Sequence, residues 1–149
     1  MENLSKQIVE FIKDYVKDAH AKGVVIGMSG GKDSFVACKL CVLALGKENV
    51  FGVIMPNAKM TDLEIAKSEC ELLGIRYKVA NIENLYNETI NLTQNILETK
   101  TLSDVSTINI APRLRMNILY SVAGTLGYLV VNTSNLSETM IGYSTKWGD

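Results

Sequence analysis

The 149-residue chain is poor in the side chains that usually do covalent chemistry: it has one histidine, His20, and three cysteines. Residues 27–31, Gly-Met-Ser-Gly-Gly, satisfy the G-x-S-x-G pattern of a hydrolase nucleophile elbow around Ser29, but that chemistry needs a histidine after the serine. His20 lies before it, so no triad can be assembled. Cys38, Cys41 and Cys70 are an odd number, and reduced thiols are expected. Cys38-Lys-Leu-Cys41 has C-x-x-C spacing, yet it falls inside a helical pattern where i and i+3 share one face. A metal or cluster would need more ligands than Cys70 can add, so the three read as buried small hydrophobes.

An excess of charge of either sign is also missing. Fifteen Lys and Arg face sixteen Asp and Glu, for a net charge of −1. Such a chain has no general pull toward nucleic acid or an anionic membrane. No stretch approaches the ~18–20 apolar residues of a membrane span. The first residues read as a polar helix rather than a signal peptide, so the expected compartment is the cytoplasm. The length fits one domain, and 47% hydrophobic content supports a proper core.

What is present is concentrated in residues 24–34, Val-Val-Ile-Gly-Met-Ser-Gly-Gly-Lys-Asp-Ser. A buried strand runs into a glycine turn and then a helix. Gly30 and Gly31 permit positive φ angles, so several N–H groups can converge ahead of the helix, which makes an anion site suited to phosphate. Asp33 sits beside it, and a carboxylate next to phosphates calls for a cation, Mg²⁺. The stretch is not a Walker A loop, because Asp33 stands in the Ser/Thr position and Ile26 in that of the first Gly; Gly27, Gly30 and Gly31 are also misplaced for a dinucleotide fingerprint.

The periodicity predicts helices over 3–21 (stripe Leu4, Ile8, Phe11, Ile12, Tyr15, Val16), 33–45, 61–73, 82–99 and 110–125, and a short helix after 132. Strands are predicted over 24–28, 50–55, 75–80 and 126–131. Thr61-Asp-Leu-Glu64 reads as a capping box, residues 101–109 as a polar loop, and Pro112 as a first-turn proline. Alternating strands and helices imply a parallel sheet covered on both faces. Its ligand site lies at the strand carboxyl ends, where the turns at 27–31, 55–56 and 132–135 should converge on one crevice.

A second cluster follows. Arg113 and Arg115 are two apart on a helix, so they point about 160° from each other, and only one can face the crevice fully. Residues 132–138, Asn-Thr-Ser-Asn-Leu-Ser-Glu, suit a polar rim or a helix cap equally.

Together these motifs resemble a known family. Ser29-Gly-Gly-Lys-Asp-Ser34 is similar to the pyrophosphate-binding PP-loop of the N-type ATP pyrophosphatases. Within them, Pro112-Arg-Leu-Arg-Met116, Thr133-Ser-Asn-Leu-Ser-Glu138 and Gly142-Tyr-Ser-Thr-Lys-Trp-Gly-Asp149 resemble signatures of the ammonia-dependent NAD synthetases. The resemblance covers nearly the whole chain. It implies an adenine-nucleotide-alpha-hydrolase-like, Rossmann-like α/β fold: a three-layer sandwich on a parallel sheet, with residues 1–149 as one nucleotide-binding domain. It also implies an ATP-dependent ligase of NAD biosynthesis that converts deamido-NAD to NAD through an acyl-adenylate.

By the same resemblance Gly27, Met28, Ser29, Gly30, Gly31, Lys32, Asp33 and Ser34 would hold the ATP phosphates. Met55 would seat the base and Thr133 would contact ATP. Asp33 and Glu138 would bind Mg²⁺, and Arg113 and Lys146 would contact deamido-NAD. No side-chain nucleophile is implied. Ammonia, free or from a separate source, would be the nitrogen donor, and a homodimer is expected with the 110–125 helix as a candidate contact. Asn132 stands where the family has Gly, and Asn tolerates αL. Family members continue well past 148–149, so the chain is expected to lack their C-terminal portion. Two rivals fit less well. A tRNA-modifying adenylating enzyme needs a basic face, and a non-catalytic nucleotide-binding module has no use for Arg113, Glu138 and Lys146.

Overall fold

The computed structural model describes residues 2–59, 61–141 and 144–148. Its elements follow in the order α1 (Glu2–Asp18), β1 (Val24–Gly27), α2 (Lys32–Leu45), β2 (Val50–Ile54), α3 (Leu63–Leu73), β3 (Arg76–Val79), α4 (Glu83–Leu97), α5 (Asp104–Leu126), β4 (Leu129–Val131) and α6 (Leu136–Ile141). A 3-10 turn at Lys47–Asn49 leads into β2. The four strands form one sheet in the order β3-β2-β1-β4, with every pairing parallel. The glycine loop leaves β1, which β2 and β4 flank.

The pleat sorts the strand residues into two cores. Val24, Ile26, Val50 and Ile54 pack with Val16, Cys38, Cys41, Ala66 and Cys70 beneath α1, α2 and α3. Val25 and Val53 pack with Met55, Ala111 and Ala123 beneath α4 and α5. The result is the expected three-layer α/β sandwich. Val25, Ile26, Val50 and Ile54 are fully buried, each contributing about 1.5–3 kcal/mol through removal of apolar surface from water. Arg76 and Lys78 are exposed on the edge strand β3, where charge discourages further strand pairing.

Four expectations are corrected. The capping box at Thr61–Glu64 does not form: α3 starts at Leu63 behind Asp62, which makes no side-chain cap, and Glu64 Oε1 instead accepts from Lys67 Nζ at 2.7 Å. The segment 104–109 is helical. Ser103 caps α5 by accepting from the Ser106 N–H, and Tyr86 Oη donates to the Thr107 carbonyl at 3.3 Å, tying this turn to α4. Pro112 therefore lies inside α5 rather than in its first turn; its fixed φ suits a helix, although it cannot donate to the Ile108 carbonyl. At the far end α5 runs on to Leu126 because Gly127 takes αL (φ 69°) and closes it, so β4 begins only at Leu129. In α1 the apolar stripe divides: Val16 is buried, whereas Leu4, Phe11 and Tyr15 remain exposed.

The cysteines occupy the α1–α3 core as free, buried thiols. Burial, reinforced by Cys41, Cys70 and Glu69 nearby, pushes the Cys38 thiol up to about 12. Burial pushes Cys41 and Cys70 up to about 11. Such thiols are poor nucleophiles.

Candidate functional site

A cleft of about 900 Å³ opens at the carboxyl ends of β1, β2 and β4. The three turns expected to converge do so. Gly27–Ser29 and Gly31 line it from the loop, Met55 from the end of β2, and Asn132–Ser134 from the end of β4.

The loop is held largely by itself. Ser34, only 3% exposed, donates from Oγ to the Gly31 carbonyl at 2.9 Å and lies 3.1 Å from Ser29 Oγ. A serine hydroxyl has one proton. Ser34 spends its proton on Gly31, so Ser29 donates to Ser34 and in turn accepts from the Gly31 N–H at 3.3 Å. The three residues form a closed ring of hydrogen bonds. Of the two glycines, only Gly30 takes positive φ, at 76°. A Cβ there would also lie 2.7 Å from the Asp62 carbonyl oxygen, so the loop is packed against the start of α3. Gly31 has an extended backbone, φ −97° and ψ 154°, as the N-cap of α2; the expectation of positive φ is corrected there. A Cβ on Gly31 would meet Ser29 Oγ at 3.2 Å, so this glycine answers to close approach within the loop.

Asp33 lies in the first turn of α2, where a negative charge is favoured by the helix dipole, and lines the cleft. Lys32 Nζ pairs with it at 3.1 Å, but Lys32 is largely exposed, and such a pair is weak and screened by salt.

The opposite wall is built differently. Asn132 Oδ1 accepts from the Ser134 N–H at 2.6 Å. Asn132 is not among the positive-φ residues, so this Asx turn rather than αL shapes the bend after β4. Asn135 and Glu138 form a reciprocal capping box at α6: Glu138 Oε2 accepts from the Asn135 N–H, and Asn135 Oδ1 accepts from the Glu138 N–H, both at 2.9 Å. The rim and helix-cap readings of this segment are therefore both true, since Glu138 and Thr133 also line the cleft.

Residues 144–148 dock on α5. Thr145 Oγ1 donates to Asn109 Oδ1 at 2.7 Å, and Arg113 Nε donates to the Lys146 carbonyl at 3.3 Å. Gly148 sits so close that a Cβ would come 3.0 Å from Pro112 Cβ and 3.1 Å from the Arg113 nitrogen. Trp147, with φ 64°, lines the cleft and carries Lys146 Nζ 5.6 Å from its ring centroid.

Of the residues singled out in the sequence, Gly27, Met28, Ser29, Gly31, Asp33, Ser34, Met55, Thr133 and Glu138 line the cleft. Gly30 shapes the loop from behind, and Lys32 pairs with Asp33. Arg113 and Lys146 lie beside each other at the edge, outside the lining. Gly142, Tyr143 and Asp149 of the third motif lie outside the described residues. The side chain that sequence reasoning left unassigned is Arg115. It lines the cleft, is half-buried, and donates from Nε to the Met55 carbonyl at 3.1 Å. The 160° geometry marked it as one of two alternatives. Which arginine faces inward depends on how α5 sits on the sheet.

Comparison with known proteins agrees with this fold. The NAD synthase family pattern matches residues 4–149. An NH3-dependent NAD(+) synthetase of Pyrococcus furiosus is 45% identical over 148 residues, covering 99% of this chain and 54% of the relative. The chain thus spans about half the length of the curated relatives it matches. Among solved structures, an NH3-dependent NAD synthetase from Campylobacter jejuni superposes with a TM-score of 0.89 at 36% identity, over 99% of this chain and 62% of the other. An NMN synthetase from Francisella tularensis superposes with a TM-score of 0.89 at 32% identity, over 99% and 60%. With the glycine loop, the two-sided parallel sheet and a match running along nearly all of its length, this chain belongs to the NAD synthase family.

Proposed function

We propose that this chain carries the nucleotide-activating site of an ammonia-dependent NAD synthetase, which amidates deamido-NAD to NAD with ATP and ammonia and releases AMP and pyrophosphate. The observation that carries the reading is the meeting of Asp33, on the loop, and Glu138, on α6, in one cleft with the phosphate-type loop. The names of the P. furiosus and C. jejuni relatives support the same activity.

The nicotinate carboxylate attacks the α-phosphorus of ATP, the bond to pyrophosphate breaks, and ammonia then displaces AMP from the acyl-adenylate to form the amide. Positioning and charge neutralisation supply the rate. The loop N–H groups and the α2 N-terminus face the leaving pyrophosphate, and Ser34 keeps the loop in shape through its bonds to Ser29 and Gly31. Thr133 contributes a hydroxyl from the opposite wall, and Met55 offers an apolar seat for the base. Arg113 and Lys146 meet the phosphates or carboxylate of deamido-NAD at the edge. Two hard carboxylate donors beside a phosphate loop fit Mg²⁺; Asp33 and Glu138 would hold it, and it would supply charge screening of the phosphates. No side-chain nucleophile is needed.

A homodimer fits the exposed apolar residues Leu92 and Ile96 on α4 and Val105 and Ile108 on α5, two helices that pack on each other. No helix among the described residues is long and apolar enough to cross a membrane, which accords with a cytoplasmic enzyme. A second reading, favoured by the F. tularensis likeness, is that a mononucleotide takes the place of deamido-NAD.

Pyrophosphate release tests both readings. It is expected with ATP and deamido-NAD together and not with ATP alone. Release with the mononucleotide instead would select the second reading, and release independent of either acid would contradict both.

A further inference from the structure

We propose that Arg115 is the cleft's phosphate-neutralising residue: its guanidinium, anchored through Nε to the Met55 carbonyl, presents its remaining donors to the phosphate chain of bound ATP. The inference rests on the proposed function and names the residue that completes its nucleotide site.

Three observations carry it. First, Arg115 is the one cationic side chain among the described residues that line the cleft; Lys32, Arg113 and Lys146 do not line it. Asp33 and Glu138 make the lining otherwise negative, which is the wrong sign for a polyphosphate without a fixed cation. Second, the guanidinium is fixed in direction. Nε–H donates to the carbonyl of Met55, the residue that follows β2, next in the sheet to β1, from whose end the phosphate loop departs. An arginine held by one of its five N–H groups keeps a planar fork of four for a phosphate. Third, the placement carries a cost. Arg115 has no carboxylate partner among the described residues, and burial alone lowers its affinity for the proton. A half-buried charge with one carbonyl for company costs stability, and such costs collect where a ligand needs the charge. Arg113, the neighbour two positions away, is exposed and turned to the Lys146 carbonyl, so the pair divides its work between the inside and the edge of the cleft.

The test is calorimetric titration of ATP, adenosine and deamido-NAD into the unsubstituted protein, Arg115→Met and Arg115→Lys, with thermal melts alongside. We expect Arg115→Met to weaken ATP about ten-fold or more. Adenosine affinity should stay within about two-fold, and the melting midpoint should change little, because loss of a desolvated charge offsets loss of the bond to the Met55 carbonyl. Arg115→Lys keeps the charge and loses the fork, so it should weaken ATP by less, again sparing adenosine. Three results would overturn the inference: ATP affinity unchanged in both variants, ATP and adenosine weakened by the same factor, or deamido-NAD weakened with ATP spared. If Arg115→Met does not fold, Arg115→Lys decides by the same criteria. Failure of the unsubstituted protein to bind ATP at all would sink the proposed function and this inference together; normal ATP binding in the variants would sink only the inference.

Discussion

The two walls of the cleft are built on opposite principles. The loop wall, residues 27–34, takes the shape of its turn from contacts within itself: Ser29, Gly31 and Ser34 close a ring of hydrogen bonds within six residues, while Met28 ties it to β2 by donating to the Val53 carbonyl and Gly30 meets Asp62. The rim wall, residues 132–141 and 144–148, is assembled from distant parts. Its capping box is local, but residues 144–148 take their place from Asn109, Pro112 and Arg113 of α5. A wall stabilised by local bonds is present as soon as its strand and helix form, whereas a wall stabilised by long-range docking depends on the packing of the whole α5 layer. The two regions should therefore fail in different ways.

The largest effect expected falls on the layer that supports the loop. Cys38 and Cys41 lie on α2, and all three thiols have folded-state affinities for the proton raised above the ordinary 9.0, to about 12, 11 and 11. The folded state thus holds these protons more tightly than the unfolded one. Their contribution is fully present below pH 9 and is lost as pH rises from 9 toward 12. Each buried thiol can remove up to about 1.4 kcal/mol per pH unit within that window, so urea midpoints should fall steeply between pH 9 and 11. A midpoint flat across that range would contradict the burial account.

Next in size is Gly30→Ala. A φ of 76° and a Cβ 2.7 Å from the Asp62 carbonyl together should cost about 2–4 kcal/mol in denaturant unfolding. Gly31→Ala, at negative φ, should cost well under half of that. Equal costs would break the assignment of separate roles to the two glycines.

Smaller again is Ser34→Ala, which leaves the Ser29 hydroxyl and the Gly31 carbonyl without their buried partner and should destabilise by about 1–3 kcal/mol. The counterpart on the rim is Gly148→Ala. Its Cβ would meet Thr145 Cγ2 at 2.7 Å and the Pro112–Arg113 backbone region, so it should loosen residues 144–148 while costing under about 1 kcal/mol in global stability. Trp147 is the chain's only tryptophan, so its fluorescence reads that loosening directly. A change in fluorescence with Ser34→Ala but none with Gly148→Ala would reverse the comparison.

The same contrast explains what could be read from the sequence. The β1–loop–α2 unit is legible because the short β-branched run, the glycines and the Asp33 position are local signals, and they survive in the structure except for the φ of Gly31. The three-turn crevice followed from the rule that parallel sheets bind at their carboxyl ends. The start of α5 reads as loop in the sequence because Ser103, Ser106 and Thr107 are small and polar, whereas the cap at Ser103 and the bond from Tyr86 exist only in the folded chain. Gly127 carried the signal that α5 extends and β4 shortens, since a glycine within a predicted strand is better read as a helix stop. Arg115 was beyond the reach of a local reading. Periodicity showed that one arginine would face inward, but the choice is made by the packing of α5 on β1 and β4.

The central claim is that Asp33 and Glu138, one from each wall, act on the same cation beside bound ATP. It is tested most directly by ATP affinity with and without Mg²⁺ in Asp33→Asn, in Glu138→Gln and in the double variant; glutamine retains the capping-box bonds while removing the charge. The account predicts that either substitution alone removes most of the Mg²⁺-dependent gain in affinity and that the second adds little. Full Mg²⁺ dependence in Glu138→Gln, or losses that simply add, would contradict it.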